Sequence, residues 1–168
     1  MTTALHVCSP PGTRLVSQVA VGFMLLMAGL TMTVHLVELR VARRLDPASV
    51  PGFRELFSFE WPSLLYAVDI AAWDLLLGVA LLCAALVFVG GPFATVGRGL
   101  TVSGVMCLVG LVGPAIGILG WRAIGIAGYA VVFPLTCVAL ARAFLRIPAH
   151  RQTHLITALP STARIRRT

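Results

Sequence analysis

The sequence predicts an all-α protein: a membrane-embedded, antiparallel bundle of four helices. Hydrophobic residues make up 58% of the 168-residue chain and charged residues only 11%, which is too little charge to cover a soluble domain. The apolar residues also form four blocks without formal charge, over residues 15–37, 75–97, 99–121 and 123–141. A helix needs about 20 predominantly apolar residues to cross a bilayer, so each block is long enough for one span.

The first predicted helix covers residues 15–37 and follows a polar lead over residues 1–14. A secretory signal is the competing interpretation, but its apolar part would hold only about 7–15 residues before a small-residue cleavage site. The apolar run here is longer, and it continues into Thr33, His35 and Glu38 without such a site. We therefore expect an uncleaved transmembrane helix.

The longest predicted loop covers residues 38–62. It contains several arginines and prolines, and Phe53, Leu56 and Phe57 recur in it at helical spacing. This pattern is typical of a short amphipathic helix that lies in the headgroup zone. An irregular loop with solvated charges is the alternative interpretation.

The remaining predicted helices cover residues 63–89, 99–120 and 122–145. The first of these three ends before Gly90, Gly91 and Pro92, because this combination stops a helix. The turn between the last two helices is so short that they must be antiparallel neighbours. Residues 147–168 form a basic tail that we expect to be disordered.

The net charge of +7 comes entirely from arginine, since the chain has no lysine. We expect the arginine-rich tail and first loop to contact anionic lipid headgroups. Nucleic acid is not an expected partner, because no basic patch with interleaved aromatic residues is present.

More arginines lie on the side of the chain termini than on the other side, and this bias depends on the tail. The positive-inside rule then predicts cytoplasmic termini in the cell (inner) membrane.

One half of the predicted bundle contains a set of ionisable residues that includes His35, Asp69, Asp74 and Arg122. An ionised carboxylate within a span costs about 2.5–3.5 kcal/mol on insertion scales, so such a group is usually paired or functional. One hypothesis is that Asp74, with Arg122 or His35, lines a polar crevice that binds a small ligand or takes up a proton. The alternative is an interhelical salt bridge that fixes helix packing.

The two aspartates are expected to have different surroundings. They lie five residues apart, which is about 140° around an ideal α-helix, so we do not expect a pair that shares a proton. Asp74 lies on the side of Ala71 and Gly78, small residues that define a helix-packing face. We therefore expect Asp74 to face the bundle interior and Asp69 to point roughly the opposite way, towards the headgroups.

Small residues also mark the predicted contact between the third and fourth helices. Gly113 and Gly117 form a G-x-x-x-G pair, and Gly125 and Gly128 lie in the following helix. Small residues let helix backbones approach closely in lipid. Packing of these two helices is the expected use of the pattern, and homodimerisation is the alternative.

No motif of known chemistry accompanies these residues. The cysteines Cys83, Cys107 and Cys137 lie too far apart in the sequence to form a C-x-x-C motif. The sequence also has no paired haem histidines, phosphate-binding loop or catalytic triad. We therefore expect no metal, no cofactor and no catalytic residue.

The helical part of the chain resembles uncharacterised small four-helix membrane proteins of bacteria. The resemblance is carried by Trp61, Tyr66, Asp69, Trp73 and Asp74, and by residues 122–134. It implies the architecture and no activity. A structural or regulatory subunit of a membrane complex is the main expectation. A small-solute or proton-coupled transporter is the alternative, and a lipid-modifying enzyme comes third.

Overall fold

Four long helices form the protein. The computed structural model describes residues 11–89 and 93–145, and no strand occurs in these two ranges. Helix α1 spans Arg14–Arg44, α2 spans Leu64–Phe88, α3 spans Ala94–Ile116 and α4 spans Leu119–Leu145. Each helix is long and apolar enough to cross a membrane. The predicted all-α, antiparallel four-helix bundle is confirmed.

Three predicted features lie outside the described residues. They are most of the polar lead, the glycine and proline stop at residues 90–92, and the basic tail over residues 147–168.

The helices pack in the order of the chain: α1 against α2, α2 against α3, and α3 against α4. The core lies mainly between α2 and α3, where Leu77, Leu81, Leu100 and Cys107 are fully buried. Half of the residues in the most apolar stretch of α2 are buried, whereas only 11% of the residues in the corresponding stretch of α1 are buried. The outer helix α1 therefore presents most of its apolar side chains to the surroundings.

Helix α1 is longer than the sequence analysis predicted. It does not end near residue 37 but continues through a wide turn at Val37–Val41 and a 3-10 turn at Ala42–Arg44. Charged residues did not end this helix because long side chains can extend towards water from a helix end. Here Arg43 Nη2 lies 3.4 Å from Glu38 Oε1 at the surface.

The connection between α1 and α2 contains a short helix at Phe53–Phe57, in the segment where the apolar spacing predicted one. Ser63 then caps the start of α2, because its Oγ accepts a hydrogen bond from the Tyr66 N–H at 3.2 Å. This cap fixes the first turn of α2, which carries Tyr66.

Helix α3 begins and ends earlier than predicted, at Ala94 and Ile116. It ends because Gly117 adopts a left-handed backbone conformation with φ 77°, and the Ile118 N–H donates to the Gly113 carbonyl at 2.9 Å. A β-carbon at position 117 would meet nothing within 4 Å. The prediction that Gly117 packs against a neighbouring helix is therefore wrong, since this glycine terminates α3 instead.

Wide π-helical turns interrupt α2 at Ala71–Leu76 and α4 at Gly128–Val132. In α2 the Leu77 N–H donates to the Ala72 carbonyl, five residues earlier rather than four. Each such turn accommodates one extra residue. In α4 the turn ends two residues before Pro134, whose ring cannot approach the carbonyl four residues earlier. The turn in α2 contains Asp74 and has no proline to explain it.

Candidate functional site

A buried arginine joins two helices at one end of the bundle. The Arg122 guanidinium, at the start of α4, lies between two carboxylates of α2: Nη2 is 3.4 Å from Asp69 Oδ2, and Nε is 3.7 Å from Asp74 Oδ2. The exposed fractions of Arg122, Asp69 and Asp74 are 7%, 5% and 0%. We call these three residues the polar cluster.

Tyr66 completes the surroundings of the guanidinium. The Arg122 Nη1–H donates to the Tyr66 hydroxyl, and Arg122 Cζ lies 4.5 Å from the centre of the Tyr66 ring. Tyr66 therefore supplies both a hydrogen-bond acceptor and a cation–π contact. The sequence gave no sign that Tyr66 would bind Arg122.

Asp69 and Asp74 contact the same guanidinium, so the expectation that Asp69 points away from the interior is wrong. The reason is the wide turn at Ala71–Leu76, which begins two residues after Asp69 and contains Asp74. In an uninterrupted α-helix, residues five apart diverge by about 140°. A turn with one extra residue brings them close to alignment, and both carboxylates then face α4.

Two glycines make the space that Asp74 occupies. A β-carbon at Gly125 would collide with Asp74 Oδ1, and a β-carbon at Gly110 would lie 2.7 Å from the Gly125 Cα and 3.4 Å from Asp74 Oδ1. Only residues without a side chain allow α3 and α4 to come this close beside the carboxylate. Gly125 therefore lies both in the contact between α3 and α4 and directly beside the Asp74 carboxylate.

Gly113 of α3 and Gly128 of α4 also lie where these two helices pack together. A β-carbon at Gly113 would lie 2.7 Å from the Ile118 carbonyl oxygen, and one at Gly128 would lie 2.8 Å from Met106 Cβ. The Ser103 hydroxyl also donates to the Gly128 carbonyl at 2.8 Å, across a buried contact. These contacts fix the register of α3 and α4.

On α2, a β-carbon at Gly78 would lie 3.1 Å from two side-chain carbons of Leu108, so this glycine packs closely against α3. Ala71 is half-buried and lines a shallow groove between α2 and α3 together with Leu111 and Pro114. Both small residues of the predicted α2 packing face therefore lie next to α3.

His35 lies outside the polar cluster. It is exposed, its Nδ1 lies 2.8 Å from the Thr31 carbonyl oxygen, and its ring centre is 6.3 Å from that of Phe59. The Phe59 ring in turn packs edge-on against Tyr66, at 5.1 Å between ring centres. His35 thus contacts the cluster through two aromatic rings and interacts electrostatically with Asp69. The ion-pair partner of Asp74 is Arg122.

The charges within the polar cluster do not balance. Two carboxylates face one guanidinium, so the cluster would carry a net negative charge if all three groups were ionised. Neither oxygen of Asp74 has a hydrogen-bond partner in the described part of the chain, and Asp69 Oδ1 and Arg122 Nε also lack one. Buried polar atoms without partners are costly, and an unpartnered carboxylate oxygen is a group that can take up a proton.

Two apolar grooves lie elsewhere on the bundle. One, of about 220 Å³, lies between α2 and α3 near Trp61, and the other, of about 270 Å³, lies between the end of α2 and the start of α3. Neither groove includes a residue of the polar cluster, and Asp74 is wholly enclosed. The predicted crevice open to one side is therefore not formed around Asp74.

Within residues 11–89 and 93–145, no group of three or more His, Cys, Asp or Glu side chains is placed to hold a metal ion.

No family model, no curated protein and no solved structure matches the chain.

Proposed function

We propose that the chain is a multi-pass protein of the cell (inner) membrane, with cytoplasmic termini, that acts as a structural or regulatory subunit of a membrane complex. The observation that carries this proposal is the enclosed position of the polar cluster. The Arg122 guanidinium links α4 to Asp69 and Asp74 on α2, although these two helices are not neighbours over most of their length. Charges that are sealed in this way serve helix packing and leave no entry for a solute.

The outer surface of α1 supports a partner in the membrane. Leu25, Leu26 and Leu30 are 67%, 59% and 37% exposed, and Gly22 and Gly29 are exposed on the same helix. A β-carbon at either glycine would meet nothing within 4 Å. Apolar helices with small residues associate closely in lipid, so this helix is suited to contact a helix of another subunit.

Photo-crosslinking in native membranes tests the proposal. A photoreactive amino acid is introduced at Leu26 or Leu30 on α1 and, as matched controls, at Val131 or Leu135 on the exposed side of α4. We expect one discrete protein adduct from the α1 positions and none from the α4 positions. The adduct should weaken when Gly29 is replaced by Leu. Absence of any protein adduct from both α1 positions would contradict the proposal.

A proton-coupled or small-solute transporter is the second candidate, and the unpartnered oxygens of Asp74 favour it. The purified protein is reconstituted into vesicles that contain a pH-sensitive dye, beside Asp74→Asn and the exposed-loop control Asp46→Asn. The subunit proposal predicts no proton or solute flux from any of the three proteins. Flux that is lost only in Asp74→Asn would support transport instead.

A further inference from the structure

We propose that the polar cluster is a proton-binding site, in which Asp74 holds one proton while Asp69 stays ionised and pairs with Arg122. This inference depends on the geometry of the cluster alone, and it holds for a subunit and for a transporter alike.

The cluster contains two acidic groups and one basic group, all less than 10% exposed. No other arginine of the described chain is ion-paired with either aspartate. An excess negative charge without water or a counterion is highly unfavourable in an apolar interior. Uptake of one proton by one carboxylate makes the cluster neutral.

Asp74 is the carboxyl group that holds the proton. The Arg122 Nη2–H donates to Asp69 Oδ2 at 3.4 Å, so Asp69 has the only hydrogen bond between the guanidinium and a carboxylate. Asp74 Oδ2 lies farther away, at 3.7 Å from Nε, and makes no hydrogen bond. Asp74 is also the most buried of the three residues. A carboxylate with full burial and the weaker cationic contact is the one whose neutral form the site favours.

The cluster binds a proton rather than a metal cation. A sodium ion requires several oxygen ligands around one point, whereas Asp74 Oδ1 faces Gly110 and Gly125 and Asp74 Oδ2 faces the Arg122 side chain. The close approach of the two glycine backbones leaves no volume for an ion. A proton needs no added volume, and it binds directly to an oxygen that has no other partner.

The other titratable groups near the aspartates do not supply a positive charge beside Asp74. Cys107 of α3 and Tyr129 of α4 interact electrostatically with Asp74. Each of these side chains is neutral when protonated and negative when ionised, so neither supplies a positive charge. His35 of α1 interacts with Asp69, from an exposed position. Among the residues that the structure describes, Arg122 is therefore the cation that ion-pairs with both carboxylates.

Carboxyl carbon NMR of the full-length protein in lipid nanodiscs tests this assignment without any substitution. The chain has three aspartates, and each follows a different residue: Leu45–Asp46, Val68–Asp69 and Trp73–Asp74. Paired labelling of the preceding carbonyl carbon and the aspartate nitrogen therefore assigns each resonance in the wild-type protein. At neutral pH we expect the carboxyl carbon of Asp74 at the position of a neutral acid, and those of Asp69 and Asp46 at the ionised position.

An ionised Asp74 at neutral pH would overturn the inference, and so would a change of its resonance on replacing potassium by sodium. A second measurement uses Arg122→Gln, which removes the shared cation, with Arg43→Gln as the control at an exposed ion pair. We expect two neutral aspartates in Arg122→Gln and one in Arg43→Gln. One neutral aspartate in both variants would contradict the charge count, and the wild-type result decides the inference if Arg122→Gln does not fold.

Discussion

Asp74 Oδ1 lies against Gly125, in a space that a β-carbon at position 125 would fill. The carboxylate belongs to α2 and the glycine to α4, and Gly110 of α3 lies beside both. Three helices thus meet at this point. The Asp74 carboxylate occupies space that side chains at positions 110 and 125 would otherwise fill. The packing of the bundle and the position of its charges depend on the same few atoms.

Replacement of Gly125 by Ala should destabilise the protein, because the added methyl group displaces the Asp74 carboxylate and separates α3 from α4. Overpacking of this kind costs about 1–3 kcal/mol. The matched control is Gly120→Ala, since a β-carbon at position 120 would meet nothing within 4 Å. Thermal unfolding in detergent should show a lower midpoint for Gly125→Ala only. Equal midpoints for the two variants would contradict the close approach.

Replacement of Arg122 by Gln should be among the most damaging changes outside the apolar core. It removes the buried counterion of Asp69, and removal of one partner from a buried ion pair costs about 3–5 kcal/mol. The control Arg43→Gln removes an exposed pair with Glu38, for which about 0–1 kcal/mol is expected. Unfolding free energies measured in mixed micelles should differ accordingly. If both variants lost similar stability, Arg122 would not occupy an enclosed site.

Replacement of Tyr66 by Phe tests the hydroxyl that accepts a hydrogen bond from Arg122. The ring and its cation–π contact are kept, so the expected loss is that of one hydrogen bond to a charged group, about 1.5–3 kcal/mol. Tyr66→Leu removes the ring as well and should lower the unfolding midpoint further. Stability of Tyr66→Phe equal to that of wild type would show that Arg122 does not need this acceptor.

Replacement of Asp74 by Asn should be tolerated better than replacement of Asp69 by Asn. The amide has nearly the shape of a neutral acid, and Asp69 keeps its hydrogen bond from Arg122. Asp69→Asn removes that partner and leaves only the longer contact of Asp74 with the guanidinium. We expect an unfolding midpoint near wild type for Asp74→Asn and a clearly lower one for Asp69→Asn. The reverse order would contradict the assigned charges.

The sequence was sufficient to predict the fold class, because spans of apolar residues without charge depend only on composition along the chain. It also placed Asp69, Asp74 and Arg122 in one half of the bundle, because up-and-down connections determine which helix ends share a side. These predictions need no knowledge of side-chain geometry.

The orientation of Asp69 could not be predicted in the same way. The prediction assumed an uninterrupted α-helix, whereas a wide turn at Ala71–Leu76 aligns residues five apart. No proline or glycine within that turn signals it. Gly117 was assigned wrongly for a related reason, since a G-x-x-x-G spacing is the same whether the second glycine packs against a helix or ends one.

Extraction from membranes shows directly whether lipid surrounds this bundle. Membranes that contain the full-length protein are washed at alkaline pH, collected by ultracentrifugation and then extracted with detergent. Four helices that are long and apolar enough to cross a bilayer predict a protein that stays in the washed pellet and enters solution only with detergent. Recovery in the detergent-free supernatant as a monodisperse particle would contradict lipid as the surroundings of this bundle.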